Sequence, residues 1–438
     1  VPPPATPSPP AAAPRSGPCP PGGNRSARTS GTALSPAHAA GPAATTPAAA
    51  TAPAPVVDPG RAPGVGGPSL AAARPDPADL DPRRALRAVA SWRADGRDAA
   101  RFPYRAVLGH YRAVGKNAVG AELLTALRAV APAAPAAPAA RLLTDWLPQV
   151  VDGAQGDYDS YLGTPVYASL ARAGAHARTE LVITALLADL VAIEAATLAG
   201  APDGRARTRA ALRALTAATG LAAGCGTATA PQAAEDDTAE LVRACADAVA
   251  AARDTVPSDV LRAVELTLTP TTRSHDEQMF IRVIQIFEAV FAAVARSMAD
   301  ATEAVAAGHG GLARNLLADA TRQVAGTSGV FRVLTTMPKD AFAVIRANTD
   351  GRSAVQSKAY RTVEQSAPEL YRTLLRSPLV ARELQPSMSE LDDSWGAMKR
   401  THWGITMKVI GKVRGTGGTA GASYLREAAE ARLFPALG

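Results

Sequence analysis

From residue 82 to about residue 437 the apolar positions recur every three or four residues, and the alternation expected of a half-buried strand is hard to find. The clearest stretch carries Phe280, Val283, Ile284, Phe287, Val290 or Phe291, Val294 and Met298, which form one apolar stripe along a helix. The pattern predicts an all-α protein, a helical bundle with that stripe on a core helix. A second segment, TELVITALLADLVAIEAATL at 179–198, has the same length and apolar pattern. A remote internal duplication would produce this, and so would the chance likeness of two helices rich in Ala and Leu.

Punctuation then divides the 438 residues. Residues 1–78 are mostly Pro, Ala, Gly, Ser and Thr, with no run of large apolar side chains to offset the entropy of ordering, and are expected to be a disordered tail. The Pro/Ala run at 131–140 closes a small helical block over 79–140. A helical region follows over 141–270, an insertion or a remote duplicate, broken by the loop GCGTATAPQAAEDD at 224–237. Residues 271–438 form the last helical unit.

Composition narrows the function classes. A net charge of +7 raises nucleic acid as a partner, but the arginines are scattered singly, with no dense basic run and no interleaved aromatics, so nucleic-acid binding is excluded as a working expectation. The tail lacks the apolar stretch of a secretory signal, and no later segment has about 20 uninterrupted apolar residues, so no membrane association and a cytoplasmic location are expected. Cys19, Cys225 and Cys245 show neither metal-site spacing nor the numbers for a disulfide framework.

The chemistry gathers at the C-terminus, in THWGITMKVIGKVRGTGGTAGASYL. GTGGTA has the letters of a dinucleotide fingerprint, yet that motif needs a strand before its glycines. Here the preceding residues are helical: Ser387 and Glu390 make a capping-box pattern, and Met398, His402, Ile405 and Val409 recur on one face. A P-loop fails too, because Val413 follows Gly411 and Lys412 where Ser or Thr should hold magnesium. What remains is a helical His followed by a glycine loop, whose backbone N–H groups and Thr416 hydroxyl are able to lie close to a ligand. A satisfied core histidine followed by a linker is the alternative.

Taken with the upstream segments, the sequence resembles the tryptophan 2,3-dioxygenase family of haem enzymes, from about residue 275 to residue 437. That family ends in a helical His fourteen residues before the threonine of a Gly-Thr-Gly-Gly loop, then an aromatic-Leu pair; His402, Thr416, Tyr424 and Leu425 stand at those places. SHDEQMFIRVIQIFEAVF is similar to the family's distal haem helix. TTMPKDAFAVIRANTDGRSAVQSKAYRTVE is similar to its substrate segment, with Arg346, Ser353, Gln356, Ser357, Tyr360, Arg361 and Glu364 on matching positions. YDSYL at 158–162 echoes the family's N-terminal Tyr-x-x-Tyr-Leu.

The resemblance implies a divergent haem-dependent aromatic oxygenase with haem b and O2 as co-substrate, acting on an aromatic amino acid or indole derivative in specialised metabolism. His402 would be the iron ligand, with His275 and His309 as its competitors. Phe287 and the loop glycines Gly415, Gly417 and Gly418 would contact the haem. Phe280, Phe342, Arg346 and Thr416 would bind substrate, Arg346 as a fork on its carboxylate. Ile284 and Ser353 fall at catalytic positions. Two departures stand out: Ile284 replaces the family's distal His and is able neither to donate nor to accept a hydrogen bond, and Phe342 stands where Tyr is common. The spacer between 162 and 274 is also about a hundred residues longer than the family's. Alternatives are a haem-dependent monooxygenase or rearranging enzyme on a related substrate, and a non-catalytic haem sensor. The family's intertwined assembly implies a homo-oligomer, dimer or tetramer, in which the Tyr-Leu segment covers a neighbour's site; the long spacer would instead let it cover its own.

Overall fold

The computed structural model describes residues 76–130, 138–152, 156–166, 176–198, 204–222, 237–349, 357–409 and 422–437, all within the unit Pro63–Gly438. Residues 1–75 of the Pro/Ala-rich tail lie outside the described residues. Among those described, every regular element is helical, so the fold is all-α.

Four helices come first: α1 (Pro82–Ala94), α2 (Tyr104–Val114), α3 (Ala121–Arg128) and α4 (Pro138–Val151). Local chemistry sets α1. Asp81 accepts a hydrogen bond from the Arg83 backbone N–H, Pro82 occupies the first turn, and Ala85, Val89 and Trp92 face inward at helical spacing. Leu143, Trp146, Leu147 and Val150 of α4 join the same core as α1 to α3.

The short α5 (Tyr158–Leu162) follows, then α6 (His176–Leu198), α7 (Arg205–Ala222), α8 (Thr238–Thr255) and α9 (Ser258–Leu266). Gly163 closes α5 in the left-handed region (φ +62°), and a Cβ there would collide with Gln149 and Thr267, so glycine is required twice over. The last unit holds α10 (His275–Ala306), α11 (Gly310–Leu334), α12 (Lys339–Asn348), α13 (Lys358–Leu374), α14 (Pro378–Val409) and α15 (Ala422–Glu430). The capping-box pattern of Ser387 and Glu390 does not start a helix. Both residues lie inside α14, where the apolar positions Leu384, Met388 and Leu391 carry one buried face across them.

The α10–α11 hairpin is the centre. α13 packs on α10 and α14 on α11; α6 likewise packs on α10 and α7 on α11, with α8 against α6. α6 from Arg178 and α10 are long and apolar enough to cross a membrane by length and composition, and both are mostly buried as core helices.

The two regions meet on the last turn of α9 and the segment after it. Trp146 Nε1 and Gln149 Nε2 donate to the Leu266 carbonyl at 2.9 and 2.7 Å, Arg112 donates to the Glu265 and Leu268 carbonyls, and the Lys116 backbone N–H donates to the Pro270 carbonyl. From the other side Arg282 of α10 donates to the Val264 carbonyl at 2.9 Å. The last carbonyls of a helix and the buried backbone after it have no partner within the helix, so these donors supply what it leaves open.

Candidate functional site

α10 is buried on nearly every side from Ile281 to Phe291, yet Phe280 and Ile284 remain half-exposed one turn apart. They form the partly open apolar edge of an otherwise enclosed helix. Phe342 of α12 meets Phe280 edge-on at 5.8 Å, and Arg346 stands one turn further along α12, half-buried. Of the residues expected from sequence to bind substrate, Phe280 and Phe342 thus meet, and Arg346 shares the α12 helix with Phe342.

Phe287, one turn beyond Ile284, lies 4.6 Å from Phe331 of α11, whose ring stacks on His402 of α14 at 6.3 Å and 28°. His402 is half-buried among apolar groups, and desolvation holds its imidazole below the usual histidine value, so the neutral, metal-ligating form is favoured. Among the described residues its ring makes no hydrogen bond. Only its backbone is engaged, its carbonyl accepting from the Thr406 hydroxyl at 2.9 Å. The two competing histidines are placed elsewhere: His275 Nε2 lies 3.2 Å from Glu194 Oε1 at the start of α10, and His309 is exposed before α11.

The YDSYL segment sits against α10 within its own chain. Tyr158, Tyr161 and Leu162 are buried with Ile281, and Phe280 and Ile284 pack against them. Tyr158 donates to Glu288 at 2.8 Å, Tyr161 to Glu277 at 3.2 Å, Gln285 donates to the Leu162 carbonyl at 2.6 Å, and Lys358 pairs with Asp159 at 2.6 Å. Burial raises the Glu288 carboxyl above its ordinary range, opposed in part by hydrogen bonds from Ser357 and Tyr158. Ser353, Gly415, Thr416, Gly417 and Gly418 lie outside the described residues.

The sequence reading overlooked Phe331, Trp395, Glu288 and Arg282. A signal for two of them existed: Gln278, Arg282, Gln285 and Glu288 fall at spacings of four and three, a polar stripe opposite the apolar one on α10. Arg282 is fully buried, donating to Asp189 at 2.7 Å, Thr267 at 2.9 Å and Gln285 at 2.5 Å.

No family model matches the chain. Over 102 residues it is 37% identical to the tryptophan 2,3-dioxygenase of Cupriavidus necator, a stretch covering 23% of this chain and 34% of that protein. It is 24% identical over 231 residues to the tryptophan 2,3-dioxygenase of Anaeromyxobacter dehalogenans, covering 38% of this chain and 87% of that protein. The chain thus spans about a third of the first relative and most of the second. These similarities support a distant relationship to tryptophan 2,3-dioxygenases.

Proposed function

We propose that the chain is a haem-dependent oxygenase that inserts oxygen into an aromatic amino acid or indole derivative. The carrying observation is His402: a neutral imidazole among apolar side chains, with no hydrogen bond to its ring among the described residues, stacked on Phe331 next to Phe287. Such a ring fits a b-type haem, since axial ligation needs an uncharged nitrogen on a rigid element and the macrocycle needs an apolar slot. Bound there, the haem would supply the site at which O2 is held and activated.

The chain's own groups do the rest. Phe280 and Phe342 would sandwich or edge an aromatic ring, and their half-exposure leaves surface for it. Arg346, one turn from Phe342, would hold a carboxylate by a bidentate fork, with Thr416 answering an ammonium or, together with the loop glycines, a haem propionate. Ile284 makes no hydrogen bond to an indole nitrogen, so a methyl group on that nitrogen would be tolerated. Loss of that polar contact also favours chemistry unlike the relatives' on a related substrate. The buried Tyr158–Glu288 pair holds α5 against α10, beside Ile284.

Titrating the haem-loaded protein with tryptophan, its decarboxylated amine and N-methyltryptophan tests this reading. Arg346→Ala should weaken binding of the acid about ten- to a hundredfold without changing haem content, the loss of one charge-assisted pair. Equal binding of acid and amine, or indifference to the substitution, would show that no carboxylate clamp exists.

A further inference from the structure

Trp395 lies on α14 two turns before His402, is fully buried, and its indole N–H meets no acceptor among the described residues. Tyr360 of α13 stacks on it, ring centroids 5.3 Å apart and planes 24° from parallel, and Phe291 meets the two rings edge-on at 5.4 and 5.5 Å. From Phe291 the rings continue through Phe287 and Phe331 to His402 with no step longer than 6.3 Å. Phenylalanine does not give up an electron at potentials an oxidised haem reaches, whereas tryptophan and tyrosine do. Seven residues of helix separate His402 from Trp395 by about 10 Å along the axis, a span electrons tunnel across faster than enzymes turn over.

We propose that Trp395, stacked on Tyr360, is a one-electron reservoir for an oxidised haem held by His402, an inference that rests on the haem reading above. When a peroxide has oxidised the haem and no aromatic substrate is present, one electron leaves the indole π system of Trp395 and reduces the haem by one unit. No bond breaks. The proton stays on Nε1 because nothing described beside it accepts one, so the product is an indole radical cation. The Tyr360 ring shares that positive charge; the buried carboxylate of Asp392, three residues earlier on α14, is already paired with Arg432 at 2.7 Å and adds little. Lys399 turns its ammonium to the Ala431 carbonyl at 2.5 Å. Tyr360 is half-buried while Trp395 has no exposure, so an ascorbate-class reductant refills the hole from the Tyr360 side. The pair would spare Met398, buried one turn before His402 and otherwise a ready target for sulfoxide formation. Trp403 is the competing donor. Its Nε1 is also unpartnered, but no ring contact joins it to the chain of rings among the described residues.

The test uses the haem-loaded protein and its Trp395→Phe, Tyr360→Phe and Trp403→Phe variants, with the Soret band and helix content of each recorded first. Ferric protein is mixed with hydrogen peroxide without substrate, freeze-quenched for electron paramagnetic resonance, and digested for mass spectrometry. Wild type and Trp403→Phe should show a radical whose hyperfine width narrows on ring-deuterated tryptophan. Trp395→Phe should lose it and accumulate Met398 sulfoxide, and Tyr360→Phe should keep it with an altered lifetime. The same radical in Trp395→Phe, its loss in Trp403→Phe, or an unchanged lifetime in Tyr360→Phe would overturn the proposal. A Soret band without any radical would overturn it and leave the haem reading standing; no Soret band would overturn both.

Discussion

Two aromatic clusters invite comparison, one in the N-terminal helices and one around His402. In the first, Trp92, Phe102, Tyr104 and Trp146 meet edge-on at 4.8 to 5.7 Å, and both indole N–H groups donate to backbone carbonyls, Trp92 to Asp98 at 2.7 Å and Trp146 to Leu266 at 2.9 Å. Tyr104 alone leaves its hydroxyl unpartnered, under the Arg262 guanidinium 5.0 Å above its ring. In the second cluster the Trp395 indole N–H finds no acceptor among the described residues; the N–H of Trp403, next to His402 in sequence but outside the ring contacts, finds none either. A buried polar atom without a partner costs free energy, so an indole N–H left open at a fully buried position is a feature that stability alone does not favour. The first cluster has both indole N–H groups tied into the fold; the second leaves the Trp395 N–H without an acceptor among the described residues, in line with the haem site proposed above.

The segment the two regions share should be the most sensitive point. Arg282→Met would remove the 2.7 Å partner of the buried Asp189 carboxylate and strip donors from the Val264 carbonyl and Gln285, an expected loss of about 3–5 kcal/mol in urea unfolding. A loss under about 1 kcal/mol, the range of an exposed ion pair, would mean that the network does not join the regions.

Smaller, and aimed at the contrast itself, is the pair Trp146→Phe and Trp395→Phe. Both remove similar volume from fully buried sites, but only the first removes a hydrogen bond, so it should be the more destabilising by about 1 kcal/mol. Equal losses would erase the distinction between the clusters.

The smallest effect is in pH dependence. His402 is held neutral in the fold, while in the unfolded chain it takes a proton near pH 6.5. Its contribution is therefore nil above that value and increasingly destabilising as pH falls below it, since only the unfolded state binds the proton. Glu288, raised by burial, acts with the opposite sign over the acid range above its unfolded value, so the His402 part is isolated by comparison with His402→Phe. Without added haem, wild type should lose stability relative to that variant between about pH 6.5 and 5; parallel curves would contradict the neutral imidazole.

The helical class was legible because Phe280, Ile284, Phe287 and Met298 repeat with the helix period, and periodicity reports burial directly. The candidate site was legible only in part. Phe280 meets Phe342 through the α10–α12 contact, and Arg346 lies one turn along α12 from Phe342, a placement that helix spacing alone encodes. Phe331 and Trp395 were not legible, since their role comes from rings on four helices meeting, which no spacing within one helix encodes. The start of α14 was misjudged because a capping-box pattern carries no force where packing continues the helix across it.

The central claim is that His402 holds a haem, and the absorption spectrum of the purified protein after expression with haem supplied tests it most directly. The account predicts a Soret band in the wild type, and in His402→Ala its loss or strong weakening with helix content nearly unchanged. A wild-type protein without a Soret band, or a His402→Ala variant with an unaltered ferric spectrum, would contradict it.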